Sequence, residues 1–505
     1  MKKIFNRKFN LIFLLIILVE IISFAGHLFP LVNVIAFFAL TVLVLVISFY
    51  RLEYGLAILL AELFVGSKGY LFTFTFNGTT ISWRIVFWLI IMSVWLSKII
   101  IAWIKNKKLS IDYCKSSFFP YFIILFIFIA FGAINGLIKH NQFDNLFFDF
   151  NGWLYFLLIF PIYEVLRQEK NVKLIGQVFI ASVIWLGIKT LLLLFAFSHN
   201  LPVALFELYG WIRNTGVGEI TQVQGGFFRI FFQSHIFVLA SFFFASMILT
   251  KLVVNKSGQK NLNLFIINFV LLILSLTTIL ISFSRSFWLG LAGGALICWL
   301  VWLLIIRINF KQFLLINCYW LLSAVASIIL IISIVKFPYP APTGDFNTVN
   351  LLSNRAGQFA GEAGVSSRWA LLPKLWAEII KSPLIGQGFG AIVTYQTKDP
   401  RVLELNPSGE YTTYAFEWGW LDIWLKLGLF GLLAYLLVIV KILTVAYKLR
   451  QHNQHWLIFS LIIGLLVIAI VSLSSPYFNH PLGICYLMLS SVLIDYFYQH
   501  QNSLA

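Results

Sequence analysis

The chain has 505 residues, 60% of them hydrophobic and 11% charged, with a mean hydropathy of +0.92. Soluble domains carry about 25% charged residues, so this composition excludes a soluble globule; with apolar runs recurring from end to end, it defines an integral membrane protein. The net charge of +17 does not point to nucleic acid, because Lys and Arg sit in short clusters between the runs and no basic, aromatic-bearing face stands clear of them.

Runs this long and apolar satisfy their backbone as helices rather than as barrel strands, so the expected fold is all-α and polytopic, with about 12–14 transmembrane helices. The N-terminus, Met1-Lys-Lys-Ile-Phe-Asn-Arg-Lys, resembles a signal peptide, but no small-residue cleavage site follows and another span begins at once; it reads as an uncleaved first helix. Candidate spans lie at 10–26, 29–50, 52–66, 83–104, 118–138, 150–167, 174–197, 227–250, 262–283, 287–306, 313–336, 414–447, 456–474 and 481–498. The third is short and contains Glu62, which suggests a tilted or half-inserted helix. About eleven spans thus fill 1–336, a polar break occupies 337–413, three more spans fill 414–498, and 499–505 form a short tail.

Alternate loops carry the basic clusters: Lys105, Lys107, Lys108 and Lys115; Arg167, Lys170 and Lys173; Lys251, Lys256 and Lys260; Arg307 and Lys311; Lys448 and Arg450. By the positive-inside rule these loops and both termini are cytoplasmic. The break at 337–413, residues 198–226 and the Ser282–Ser286 turn then fall outside. No internal repeat is visible. The four cysteines (Cys114, Cys298, Cys318, Cys485) are scattered and predict no disulfide, and His27, His140, His199, His235 and His480 have no metal-ligand spacing.

A loop as long as 337–413 is functional more often than connective. Phe337-Pro-Tyr-Pro-Ala-Pro is a stiff, extended exit from the membrane, and 347–364 is polar and mixed. From 366 to 381 the pattern turns helical: Ser366 or Ser367 caps it, and Trp369, Leu372, Trp376, Ile379 and Ile380 make one apolar face, as for an amphipathic helix on a membrane surface. Pro383 ends that helix. Gly386-Gln-Gly-Phe-Gly390 resembles a nucleotide loop only superficially, since no Lys-Ser/Thr follows and no strand precedes; a tight turn is the better reading.

Several outward polar residues are candidates for chemistry. Arg285 stands in Ser282-Phe-Ser-Arg-Ser-Phe between two spans, where it either snorkels to lipid headgroups or binds an anion. Arg368, at the start of the loop helix, is either a surface arginine or a phosphate clamp. Arg213 and Arg229 flank Thr215-Gly-Val-Gly and Gln224-Gly-Gly and read first as structural. Glu417, followed by Asp422 and Lys426, either complements a helix N-terminus or acts as a general base, its basicity raised by burial against Trp418 and Trp420. Glu20, Glu62 and Lys189 lie within spans, where ionisable residues either pair structurally or serve a transport path; His235 reads as a packed histidine.

Together, Ser284-Arg285-Ser286, Ser367-Arg368 with Trp369 and Trp376, Pro383 to Gly390, and Lys426-Leu-Gly-Leu-Phe-Gly431 resemble the O-antigen ligase and O-antigen polymerase family of bacterial envelope glycan assembly, most strongly over 280–435. The resemblance implies a GT-C-like enzyme of the bacterial cytoplasmic membrane that uses an undecaprenyl-diphosphate-linked glycan without metal or cofactor. Membrane lipid and a chain-length regulator would be its partners. Donor diphosphate binding would fall on Arg285 and Arg368, with Arg229 and Arg213 beside them, and the base role on Glu417. Ligases typically carry His-Asn where Glu417-Trp418 stand, so the resemblance implies a polymerase first and a ligase second. A solute or lipid-linked-glycan transporter and a non-catalytic scaffold are the competing classes.

Overall fold

The computed structural model describes residues 5–106, 112–199, 201, 204–223, 227–255, 262–342, 363–397, 400–452 and 454–500. Lys107, Lys108, Lys256 and Lys260, the Gln224-Gly225-Gly226 segment, the polar stretch 347–362 and the tail from 501 lie outside the described residues.

All fourteen apolar runs become helical, as the hydrogen-bonding demand of lipid requires. In chain order the first are α1 (Arg7–Leu28), α2 (Pro30–Tyr50), α3 (Leu52–Val65), α4 (Trp83–Asn106), α5 (Phe119–Ile138), and α6 (Phe143–Asn151) running through a 3-10 segment into α7 (Ile159–Leu166). There follow α8 (Glu169–Ser198), the surface helix α9 (Ala204–Asn214), α10 (His235–Val254), α11 (Leu262–Ser282), α12 (Arg285–Leu300) and α13 (Phe310–Val335). The loop carries α14 (Ala363–Lys381) and the short α15 (Pro400–Leu405), and the chain closes with α16 (Gly419–Lys448), α17 (His455–Val471) and α18 (Pro481–Gln499). Among the described residues twelve helical segments are long and apolar enough to cross a membrane; α3 and α17, at 14 and 17 residues, are shorter.

The bundle has a clear inside. In α18 and α10, 83% and 78% of the apolar window is buried, against 22% in α1, α2 and α13, so the former are core helices and the latter present their sides to lipid. Glycines let helices approach closely: a Cβ on Gly294 of α12 would meet Phe243 at 2.3 Å, and one on Gly464 of α17 would meet the Tyr486 hydroxyl at 1.9 Å.

Among the described residues three antiparallel hairpins accompany the helical bundle: β1 (Thr73–Phe76) with β2 (Thr79–Ser82), β3 (Gly218–Gln222) with β4 (Phe228–Phe232), and β5 (Val393–Gln396) with β6 (Glu410–Thr413). The run read as a span from 227 therefore starts as a strand, and its helix begins only at His235. Phe228-Arg-Ile-Phe-Phe is aromatic and β-branched, and Ile230 pairs with Ile220 in a buried register. Likewise the helix expected from 414 begins at Gly419, with β6 before it.

These pieces gather at one end of the bundle. Lys68 N–H donates to Gly216 O at 3.3 Å, the Tyr477 hydroxyl to Gln233 O at 3.0 Å, and Gly390 N–H to Asp149 at 2.9 Å. The loop after α3, the β3–β4 hairpin, the segment 472–480 and the loop after α14 thereby share a face.

Candidate active site on the loop-bearing face

The first element is the turn between α11 and α12. Phe283 adopts a positive φ of 45°, which closes the turn and leaves Arg285 as the first residue of α12, half-buried. Ser284 and Ser286 hydroxyls lie 2.9 Å apart, and the Ser475 hydroxyl donates to Ser286 at 3.2 Å. Arg229, on β4, donates from Nε to Ser282 O at 2.9 Å and stacks its guanidinium on Phe231. Arg229 and Arg285 thus serve one turn, together with hydroxyls and a helix N-terminus, all of which attract anions. Arg213 does not join them: it pairs with Glu219 across α9 and β3 at 3.5 Å, and both side chains are exposed.

The second element joins α14 to the start of α16. Arg368 Nε donates to the Glu417 carboxylate in a direct ion pair, the two side chains 33% and 51% exposed. Glu417 is therefore at the surface and not enclosed by its tryptophans, contrary to the sequence expectation. Trp418 turns away to donate from its indole to Arg368 O at 3.0 Å, and Trp420 donates to Ala469 O at 3.0 Å. Trp369 meets Trp418 edge to face. α14 docks through Leu371, Leu375 and Ile379, which are buried against β5 and the start of α16, while Trp369, Trp376 and Ile380 of the expected apolar face stay exposed.

The segment 472–476 lies between these elements. It reaches Ser286 through Ser475, and a Cβ on Gly419 would sit 2.7 Å from Ser472 O and 3.0 Å from Pro476 Cα.

The third element supports the second. α16 breaks at Gly428, where φ is 70° and ψ 179°. A break in lipid would strand backbone groups. Here the loop 383–388 replaces them: Gln387 N–H donates to Leu425 O at 2.6 Å and Gly388 N–H to Lys426 O at 3.1 Å, while Leu429 N–H donates to Pro383 O at 2.9 Å. The loop is clamped from behind by Asn135 and Lys139, which donate to Gly386 O at 3.0 and 2.9 Å, and by Asn141, which donates to Phe389 O at 2.8 Å. Gly388 has a φ of 79°, and a Cβ there would lie 2.2 Å from Gly136 N, so conformation and space both demand glycine. Burial lowers the Lys139 ammonium from its ordinary range.

Beside the break is a buried ionic cluster that sequence reasoning did not assemble. Lys426 lies 2.5 Å from Asp149 of α6 and 2.6 Å from Asp422 one turn back, with all three side chains 7% exposed or less. Asn479 donates to Asp422, and Gly390 N–H to the second oxygen of Asp149. Asp422 and Lys426 were visible at helical spacing, but Asp149, 277 residues from Lys426, carried no local signal. Nearby, burial pushes the Tyr414 phenol above the usual tyrosine range; the Asp149 carboxylate adds to this and Lys426 opposes it.

The intramembrane ionisables resolve into pairs. Glu62 holds Arg84 through two hydrogen bonds of 2.7 and 2.9 Å, and Glu20 holds Lys189 at 2.6 Å and the Trp185 indole at 2.8 Å. His235 is packed, bonded to Thr190 at 3.0 Å. Among the described residues no three or more His, Cys, Asp or Glu side chains gather as a metal-ligand set.

Fold and site together define a polytopic helical membrane protein whose arginine-bearing face is built from loops and helix starts. Residues 270–436, about a third of the chain, match the family described as O-Antigen ligase, which supports a place in the O-antigen ligase and polymerase family. The match takes in the turn at Arg285, α14, the loop 383–390 and the broken half of α16. No curated protein matches the chain.

Proposed function

We propose that the protein polymerises undecaprenyl-diphosphate-linked oligosaccharide repeat units on the outer face of the bacterial cytoplasmic membrane, both its termini being cytoplasmic. The observation that carries this reading is that the turn of Arg285, held by Arg229, and the helix start beside the Arg368–Glu417 pair both border the segment 472–476, largely within the family-matched stretch. A lipid diphosphate is an anion whose tetrahedral phosphates present several acceptor oxygens, which guanidinium groups, serine hydroxyls and a helix N-terminus all suit. In the reaction an acceptor hydroxyl oxygen forms a bond to the anomeric carbon as the bond from that carbon to the phosphate oxygen breaks. The hydroxyl proton passes to the Glu417 carboxylate, and the electron pair leaves on the diphosphate, where Arg285, Arg368 and Arg229 meet the added charge. Arg213, already neutralised by Glu219, is left at the rim.

A ligase reading is favoured by the description of the matched family itself. Glu417 stands where ligases typically carry histidine, and this supports polymerisation over ligation. The test is single replacement of Arg285, Arg368 and Glu417 by Ala, with membrane levels checked and surface glycans profiled. Loss of long chains with single repeat units still attached supports the polymerase; accumulation of lipid-linked polymer supports the ligase. Unchanged glycans in all three variants end the enzymatic reading.

A further inference from the structure

We propose that the Arg368–Glu417 ion pair is a resting latch: the donor diphosphate takes Arg368 away from Glu417, and the base becomes available only when donor is in place. This rests on the reading of Arg368 as a diphosphate ligand and of Glu417 as the base. Those two roles conflict with the contact observed, because each side chain occupies the other's working group. A carboxylate that accepts from a guanidinium has part of its lone-pair capacity engaged, and a guanidinium so engaged is neutralised towards an incoming anion.

The geometry allows the exchange without moving the loop. Arg368 is held to the start of α16 by its own backbone carbonyl, which accepts from the Trp418 indole at 3.0 Å, and by Trp369 packed edge to face on Trp418. Leu371, Leu375 and Ile379 bury the next turns of α14 against β5 and α16. Breaking the ion pair therefore releases two side chains and leaves the backbone docked. Both side chains are open to solvent on one side, 33% and 51% exposed, so an anion can reach the guanidinium. An exposed carboxylate–guanidinium pair is weak, and a diphosphate carries more charge and more acceptor oxygens than a carboxylate, so the exchange favours the donor. The consequence is order: without donor, Glu417 stays engaged and no acceptor hydroxyl or water is activated; with donor, the same step that seats the diphosphate frees the base.

The test is equilibrium binding of undecaprenyl diphosphate to the full-length protein in nanodiscs, measured for wild type, Glu417→Gln, Arg368→Gln and the double variant, each confirmed as folded by size exclusion and thermal melting. Glutamine at 417 keeps the side-chain shape and removes the competing charge. The latch predicts a Kd for undecaprenyl diphosphate about two- to fivefold lower in E417Q than in wild type, the range that an exposed ion pair is worth. It also predicts that this gain disappears when Arg368 is already Gln. If Glu417 instead merely orients Arg368, E417Q binds undecaprenyl diphosphate more weakly than wild type, and the latch is overturned. An unchanged Kd, or a gain that persists in the R368Q background, overturns it equally. Absence of binding by the wild type itself refutes the diphosphate-site reading beneath it, an outcome distinct from failure of the latch alone.

Discussion

Lys426→Met is the most exacting perturbation of the cluster at the α16 break. The cluster contains one ammonium and two carboxylates, with side chains 2%, 7% and 3% exposed for Lys426, Asp149 and Asp422, so it is short of positive charge even before any change. Removing the ammonium leaves two carboxylates facing each other out of water, and breaking a buried pair from one side costs about 3–5 kcal/mol. Asp422→Asn acts in the opposite sense: it leaves the neutral Lys426–Asp149 pair, but one amide oxygen cannot serve both Lys426 and the Asn479 amide, so a charge-assisted hydrogen bond worth about 1.5–3 kcal/mol is lost. Asp149→Asn matches it, since one amide oxygen cannot serve both Lys426 and the Gly390 N–H, and it again loses a charge-assisted hydrogen bond worth about 1.5–3 kcal/mol. The expected order of melting temperatures is wild type, then D422N and D149N together, then K426M, read from intrinsic tryptophan fluorescence in a single nanodisc preparation. K426M melting together with D422N, or above it, would refute the charge-count argument.

Gly388→Ala should undock the loop, because its Cβ would collide with the Gly136 backbone; we expect protease to cut between 337 and 413 several-fold faster than in wild type at equal membrane levels. Lys189→Met alone strands Glu20 and should cost about 3–5 kcal/mol, whereas Glu20→Leu with Lys189→Met should restore stability and keep glycan output; loss of output in a stable double variant would favour a transport path. His480, half-buried at the start of α18, is held down to about 3 by desolvation, with the charges of Arg84 and Lys68 adding to the effect. Its folded value lies below the unfolded one, so the unfolded state binds more protons between about pH 6.5 and 3, and stability falls as pH is lowered through that window. His480→Asn, which retains an acceptor for Leu482 N–H, should flatten the acid side of the melting profile.

The spans were the legible part of this chain, because lipid permits few alternatives: an apolar run of sufficient length must be a helix whatever it packs against. The turn at Arg285 and the glycine turn after Pro383 were legible for a related reason, since breaks in hydropathy and runs of glycine act locally. What escaped was relational. The docking face of α14 depends on a strand that follows it, the exposure of Glu417 on the direction taken by two indoles, and the role of Asp149 on a lysine far along the chain. Arg84, the partner of Glu62, carries no local signal, because an arginine at the start of a span has the pattern of an interfacial anchor. The strand at 228–232 was hidden inside a run whose hydrophobicity suits helix and strand alike.

The repair of α16 by a neighbouring loop also bears on how the chain is made. A helix interrupted at Gly428 cannot complete its backbone pairing alone, so its two halves become stable only where residues 383–388 already wait for them. Those residues leave the ribosome earlier, and Asn135, Lys139 and Asn141, which hold them, earlier still. Synthesis from the N-terminus therefore delivers the holder, then the template, then the helix that needs it. A circular permutation or split that released α16 before its template would leave unpaired peptide groups at the membrane, and degradation of that nascent segment would be the visible result.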